Sequence, residues 1–179
     1  MLKSNQIPSR VINFNVYDDE KDNRLIGVAT VDLPEPERMS EEITGAGIAG
    51  TVDMPLPGHF ESMTTTITWN VPTKETFRLF SGANSHPVTM RASIQVYDAG
   101  TGKYKTVPLK VSMSIISKSL SLGTLEPNAK MDTGKEFSVV RIKSWLDGKK
   151  VVEIDPLNFI CEIDGKDELA SVRRDLGML

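Results

Sequence analysis

Apolar and polar residues take turns along much of this chain, and that pattern leaves little choice of fold. Side chains on alternating faces belong to strands with one face buried and the other wet. In the clearest run, 62–71, Met63, Thr65, Ile67, Trp69 and Val71 fall on one face and Ser62, Thr64, Thr66, Thr68 and Asn70 on the other. A second run sets Val88, Met90, Ala92, Ile94 and Val96 against Thr89, Arg91, Ser93 and Gln95. A third sets Val107, Leu109, Val111, Met113 and Ile115 against Thr106, Lys110, Ser112 and Ser114. The last two flank Asp98-Ala99-Gly100-Thr101-Gly102-Lys103, whose glycines supply the positive φ of a tight turn, so one long hairpin is predicted over 88–118.

Weaker signals complete a mainly β fold, an antiparallel sandwich or barrel with one or two short helices. Ile12, Phe14 and Val16 alternate with Asn13 and Asn15. Residues 25–33 are more continuously apolar, as in a strand covered on both faces. Asp147-Gly148 between 137–145 and 150–154 is a strong hairpin signal. One helix is predicted over 72–82, with a Thr73 cap, an early Glu75 and a closing Gly82; Phe77 and Phe80 share its face toward a sheet. Another is predicted over 164–177, capped by Asp164, ended by Gly177 and striped by Leu169, Val172 and Leu176.

At 179 residues, one domain spanning 1–179 buries enough surface to need no metal or disulfide staple. The single cysteine, Cys161, excludes an internal disulfide framework, fits a small buried side chain, and points to folding in a reducing cytoplasm. Aromatics make only 6% and net charge is −3, distributed as −5 over 1–60, +4 over 61–130 and −2 over 131–179. The chain therefore lacks the stacking platforms and basic footprint of a nucleic-acid binder. There is no run of 18 apolar residues and no apolar core of signal-peptide length at the start, so neither a membrane anchor nor a leader is expected.

The motifs of catalysis and ligand binding do not survive their context. Gly45-Ala46-Gly47-Ile48-Ala49-Gly50 spells a dinucleotide fingerprint, but no strand precedes it and Pro55 follows, so its glycines read as backbone passing close to other backbone. Asp18, Asp19, Glu20 and Asp22 lack the central Gly and final Glu of a calcium loop and read as a solvated hairpin tip. His59 and His86 have no zinc spacing and no nucleophile elbow beside them. No cofactor and no enzyme activity are expected.

Two features remain. The stretch 34–61 has no clear period, four prolines and four glycines, yet it carries Met39, Ile43, Ile48, Val52, Met54 and Leu56. It is either a cover over the chain's own sheet or an arm that docks on another subunit. The hydroxyl faces of the three alternating strands suit an ordinary solvated sheet. They equally suit the lining of a water-filled conduit, where long side chains would obstruct passage.

Asp32-Leu33-Pro34, Gly45 through Thr51, Met63 through Trp69, Pro72, Trp145-Leu146-Asp147-Gly148-Lys149, Val152-Glu153-Ile154-Asp155, Asn158, Asp164-Gly165 and Arg173-Arg174-Asp175-Leu176-Gly177 follow one another from about 10 to 177. In order and spacing they resemble the major tail tube proteins of contractile-tailed, P2-like bacteriophages, a family that includes the tubes of R-type bacteriocins. The resemblance implies hexameric rings stacked into a hollow tube inside a contractile sheath. Each protomer would give four strands to a continuous inner barrel, here 24–33, 62–71, 88–97 and 104–116.

Twenty-four strands at roughly 4.8 Å spacing and about 45° tilt give a barrel about 50 Å across and, less side chains, a lumen of about 40 Å, wide enough for duplex DNA. The implied lumen-facing residues are Thr64, Thr66, Thr68, Thr89, Arg91, Ser93, Gln95, Lys110, Ser112 and Ser114. The implied inter-subunit loop, 34–61, offers Met39, Ile43, Gly45, Gly47, Ile48, Gly50, Met54 and Leu56. Further implied partners are the sheath, baseplate and tail terminator proteins, with a tape measure protein or DNA in the lumen of a virion tail assembled in the bacterial cytoplasm. A DNA conduit should repel phosphate, yet these faces carry Arg91 and Lys110 and no carboxylate. Either Asp32 and Glu61 offset the cations, or the side chains turn away, or the tube carries no genome. The alternatives are a type VI secretion tube and a monomeric β-sandwich binding module.

Overall fold

A computed structural model describes residues 5–19, 24–27, 29–81 and 84–178. Along them run β1 (Gln6–Asp18), β2 (Arg24–Leu25), β3 (Ala29–Asp32), β4 (Arg38–Ile43), β5 (Val52–Phe60), β6 (Met63–Trp69), α1 (Lys74–Arg78), β7 (His86–Asp98) and β8 (Lys103–Ser117). They continue with β9 (Thr133–Leu146), β10 (Lys149–Asp155), β11 (Ile160–Ile163), β12 (Lys166–Asp167) and α2 (Ala170–Asp175). The main sheet is antiparallel, in the order β12-β11-β10-β9-β8-β7-β1-β2. It is mainly β with two short helices, and it does not close into a barrel within one chain.

The length of β9 builds the sandwich. Residues 137–146 pair with β8 on one edge, while the other edge takes β6 along 133–139 and β10 along 142–146. The β3–β6 layer thereby folds over β1, β7 and β8. Met63, Ile67 and Trp69 meet Val16, Val88, Met113 and Ile115 in one core, closed by Phe137. Strand β6 alternates buried and half-buried along its whole length, as the sequence pattern requires. Thr65 falls on its apolar face and satisfies its hydroxyl there by donating to the Asp32 carbonyl at 2.6 Å.

Strands β7 and β8 oppose each other in thirteen directly matched pairs, from His86–Ile115 to Asp98–Lys103, without a shift. Asp98 Oδ1 accepts from the amides of Gly100 and Thr101 at the turn. Asp147 (φ 54°) and Gly148 (φ 75°) both sit at positive φ between β9 and β10, the backbone that an Asp-Gly pair signals.

Several elements depart from the sequence reading. Residues 24–33 are two short strands parted at Gly27 (φ +97°), and Leu25 and Leu33 are exposed, so this run is not covered on both faces. Two register shifts in β1, at Ser9 and Ile12, put Ile12 outside as well. Of the two phenylalanines meant to face the sheet, Phe80 packs on Trp69 and Phe137, with centroids 6.2 and 4.9 Å away. Phe77 remains exposed, because Thr76 and not Phe77 takes the buried position on this five-residue helix. Thr73 does cap α1; Gly82 lies outside the described residues.

The second helix spans only 170–175, because Asp164 (φ +49°) is spent on the β11–β12 turn and cannot cap it. Leu169 stands at the N-cap and no side chain caps the helix; just ahead of it Asp167 accepts from the Leu169 amide at 3.1 Å. Leu169 is buried and Leu176 exposed, so the expected apolar stripe is covered at one end only. Asp18 is buried against Arg78 at 2.5 Å rather than solvated, while Glu20 and Asp22 lie outside the described residues.

Candidate assembly surfaces

Directly opposed residues share a face of a sheet, so the registers state which side chains stand together. One row crosses seven strands: Tyr17, Thr89, Ser112, Lys143, Glu153, Glu162 and Asp167. The next includes Asn15, Arg91, Lys110 and Trp145. On the opposite edge of β9, Ser138 opposes Thr64 as well as Ile116. The face carrying Ser112 and Ser114 therefore continues onto Thr64, Thr66 and Thr68. Ser93 and Gln95 complete it along β7. The ten residues read from the sequence thus lie on one face of one continuous sheet.

Thr89 departs from the rest. It is fully buried, its hydroxyl 2.5 Å from Asp19 Oδ2 and 2.9 Å from Ser112 Oγ, so it offers no exposed surface on this face.

The cations of this face are held rather than loose. The Arg91 guanidinium lies 5.2 Å from the Tyr17 ring centroid and Lys110 Nζ 4.7 Å from that of Trp145. Arg141, Lys143 and Lys150 converge on Glu153 at 2.8, 2.9 and 2.7 Å. Burial alone would push the Glu153 carboxyl up, but hydrogen bonds from these three cations override it and bring it down to about 2. The face does carry carboxylates, contrary to the sequence reading, which counted neither β9 nor β10. At its other end Asp32, Glu35, Glu37 and Glu61 line a groove beside Thr64 and Thr66.

Strand β1 is the second surface. It was absent from the four expected barrel strands, yet it pairs with β7 along 88–98, leaving β3 as the one of those four with its outer edge open along its whole length among the described residues. Among the described residues the outer edge of β1 is paired at Tyr17 and Asp18, by β2, with one further bond from the Ile26 amide to the Val16 carbonyl. Among the described residues, 7–15 are left as an open edge, with Ile7, Val11 and Ile12 more than half exposed. Between this edge and β3 opens an apolar cleft of about 220 Å³, lined by Val11, Phe14, Val31, Leu33, Met90 and Val111 among others.

The third surface is the segment 34–61. It is a two-stranded arm, β4–β5, and not a structureless loop or a cover over the chain's own sheet. Ile43 opposes Val52 and Glu41 opposes Met54, so Met39, Glu41, Ile43, Val52, Met54 and Leu56 share one face, apolar except for Glu41; Ser40, Glu42, Asp53 and Pro55 form the other. All these side chains are exposed. The period-2 signal was present at Val52, Met54 and Leu56, but Pro55 and Pro57 masked it. The tip glycines pass no other backbone of this chain; Gly45, Gly47 and Gly50 face open space, and Gly47 takes φ +96° in the turn. Ile48 sits at that tip, its amide donating to the Gly45 carbonyl at 3.1 Å.

The root of the arm is fixed. Arg38 donates twice to Glu168, at 2.7 and 2.9 Å, which raises the Arg38 pKa and lowers that of Glu168. Leu169 fills the space under Gly58. Cys161 is buried here, its thiol pushed up to about 11 by burial and by the nearby Glu168 carboxylate. His59 and His86 are far apart in role: the first is exposed with Nδ1 at Pro57, the second buried with Nε2 at the Ser81 carbonyl. Among the described residues no group of three His, Cys, Asp or Glu is arranged to hold a metal ion.

A closed core beneath an open sheet edge and an amphipathic arm defines a protein whose chemistry is contact between chains. The particular family follows from sequence. Residues 8–177 match the model of the phage tail tube protein FII family, and the chain belongs to it. It is 33% identical over 162 residues to the tail tube protein of Escherichia phage P2, covering 85% of this chain and 88% of that one. The family is structural rather than catalytic, and its members are components of a virion tail.

Proposed function

We propose that six copies of this chain, each a single tube-forming domain, join into a ring, and that rings stack into the inner tube of a contractile tail or tail-like particle. The observation that carries the reading is the open edge of β1 over residues 7–15 among the described residues, because a long open edge with exposed apolar residues is a liability in a monomer and a joint in a polymer. The polar face bearing Thr64, Thr66, Thr68, Arg91, Ser93, Gln95, Lys110, Ser112 and Ser114 lines the lumen. Its short hydroxyls offer passing DNA, or a tape measure protein, little to grip. Rings clamp onto Arg91 and Lys110 and the carboxylates around them keep the wall from acting as a cation rail. The outer surface meets the contractile sheath, and the tube's ends meet baseplate and terminator proteins.

Negative-stain microscopy of the purified protein tests this. Rings or tubes about 80–100 Å wide are expected, from a barrel of about 50 Å plus one roughly 10 Å layer and loops on each side. Monomers alone at high concentration overturn it. Ile48→Asp, at the arm tip, should abolish assembly while leaving a folded monomer, since an unpaired charge is costly in an interface; a normally sedimenting variant that still assembles contradicts the role of the arm.

A further inference from the structure

The arm and the cleft are both unpartnered, and their chemistry matches. Residues 39–57 carry Glu41, Glu42 and Asp53 and no Lys or Arg. Residues 6–16 of β1 carry Arg10 and no carboxylate. Arg10 opposes Gln95 and so stands on the polar face of the sheet; Val11 and Phe14 oppose Ile94 and Ala92 and turn into the cleft. The open edge thus has an apolar side and a side bearing Arg10, and the arm has a side that is apolar except for Glu41 and an opposite side bearing Glu42 and Asp53. Pro55 and Pro57 remove two amide donors from β5, whereas β4 contains no proline, so β4 has the more complete edge to offer.

We propose that the arm of one copy adds β4 to the open β1 edge of another. Met39, Ile43, Val52, Met54 and Leu56 then cover the cleft between β1 and β3, and Glu42 and Asp53 stand beside Arg10. This is strand addition, with main-chain hydrogen bonds giving the join and side-chain pockets and charge setting the register. It rests on the self-assembly reading above and names the surface that accepts the arm.

Charge reversal tests it on the full chain. All the residues changed are exposed, so the folded monomer should denature at the wild-type midpoint. Glu42→Arg and Arg10→Glu, each alone, should raise the protein concentration needed for tubes at least tenfold. A chain carrying both changes should return to the wild-type threshold, because each altered arm then meets an altered edge. If the wild type forms tubes and the single variants do so equally well, the proposal is overturned while the tube reading stands. If the singles fail and the double chain does no better, the pairing is likewise wrong. A wild type that stays monomeric overturns both.

Discussion

Gly58→Ala is a sharp test of how the arm is set. Gly58 has φ +68°, and a Cβ there would lie 2.4 Å from Leu169 Cγ and 2.6 and 2.7 Å from its methyls. Carbon atoms rest at about 3.5–4.0 Å, so either Leu169 leaves its place or the arm root moves by about 1 Å. Leu169 is 2% exposed. Expelling it forfeits about 1.5–3 kcal/mol of apolar burial. Alanine in a left-handed conformation adds about 1–2 kcal/mol. The variant should lose about 3–4 kcal/mol in urea denaturation of the unassembled protein. Leu169→Ala alone should cost about 2–4 kcal/mol, and in the double variant the clash disappears. The two costs should therefore fall short of additivity by about 2 kcal/mol. Additive losses, or a Gly58→Ala loss below about 1 kcal/mol, would refute the reasoning.

Gly134→Ala should cost about 4 kcal/mol or more, because its Cβ would meet the Ile67 carbonyl oxygen at 2.0 Å and neither backbone can rotate away; a loss under about 1 kcal/mol in the same assay contradicts it. Glu153 is held at about 2 against an ordinary 4.5, so it stabilises the fold above pH 4.5 and that contribution, about 3 kcal/mol at most, drains away as pH falls toward 2. Glu153→Gln should flatten the fall of the urea midpoint between pH 5 and pH 2.5 relative to the wild type. Cys161, its thiol near 11 and buried, should resist alkylation at pH 8 in the native protein and react at once in urea; rapid native labelling would disprove its burial.

What could be read in advance depended on burial. Strands β6, β7 and β8 bury one face, so alternation wrote them plainly into the sequence. Asp98–Gly102 and Asp147–Gly148 announced their turns through the backbone angles they need. The arm buries nothing within its own chain, so its amphipathic pattern competes with prolines and carries no weight from a core. The split at Gly27, the shifts in β1 and the shortened second helix answer to tertiary neighbours. The polar face was legible residue by residue, but its continuity through Ser138 and its ion cluster depend on β9 serving two partners on one edge, which no local pattern reports. Thr89 looked like its neighbours on the face and is sealed by Asp19, a contact made across 70 positions of chain.

The thirteen matched pairs of β7 and β8 have a mechanical consequence. They form a plank about 44 Å long at roughly 3.4 Å per residue. Sliding β8 past β7 by a single step would throw Val111, Met113 and Ile115 out of the core and drag Lys110, Ser112 and Ser114 in. Intermediate slips are therefore steeply penalised, and the sheet answers a load along these strands by transmitting force rather than by yielding in shear.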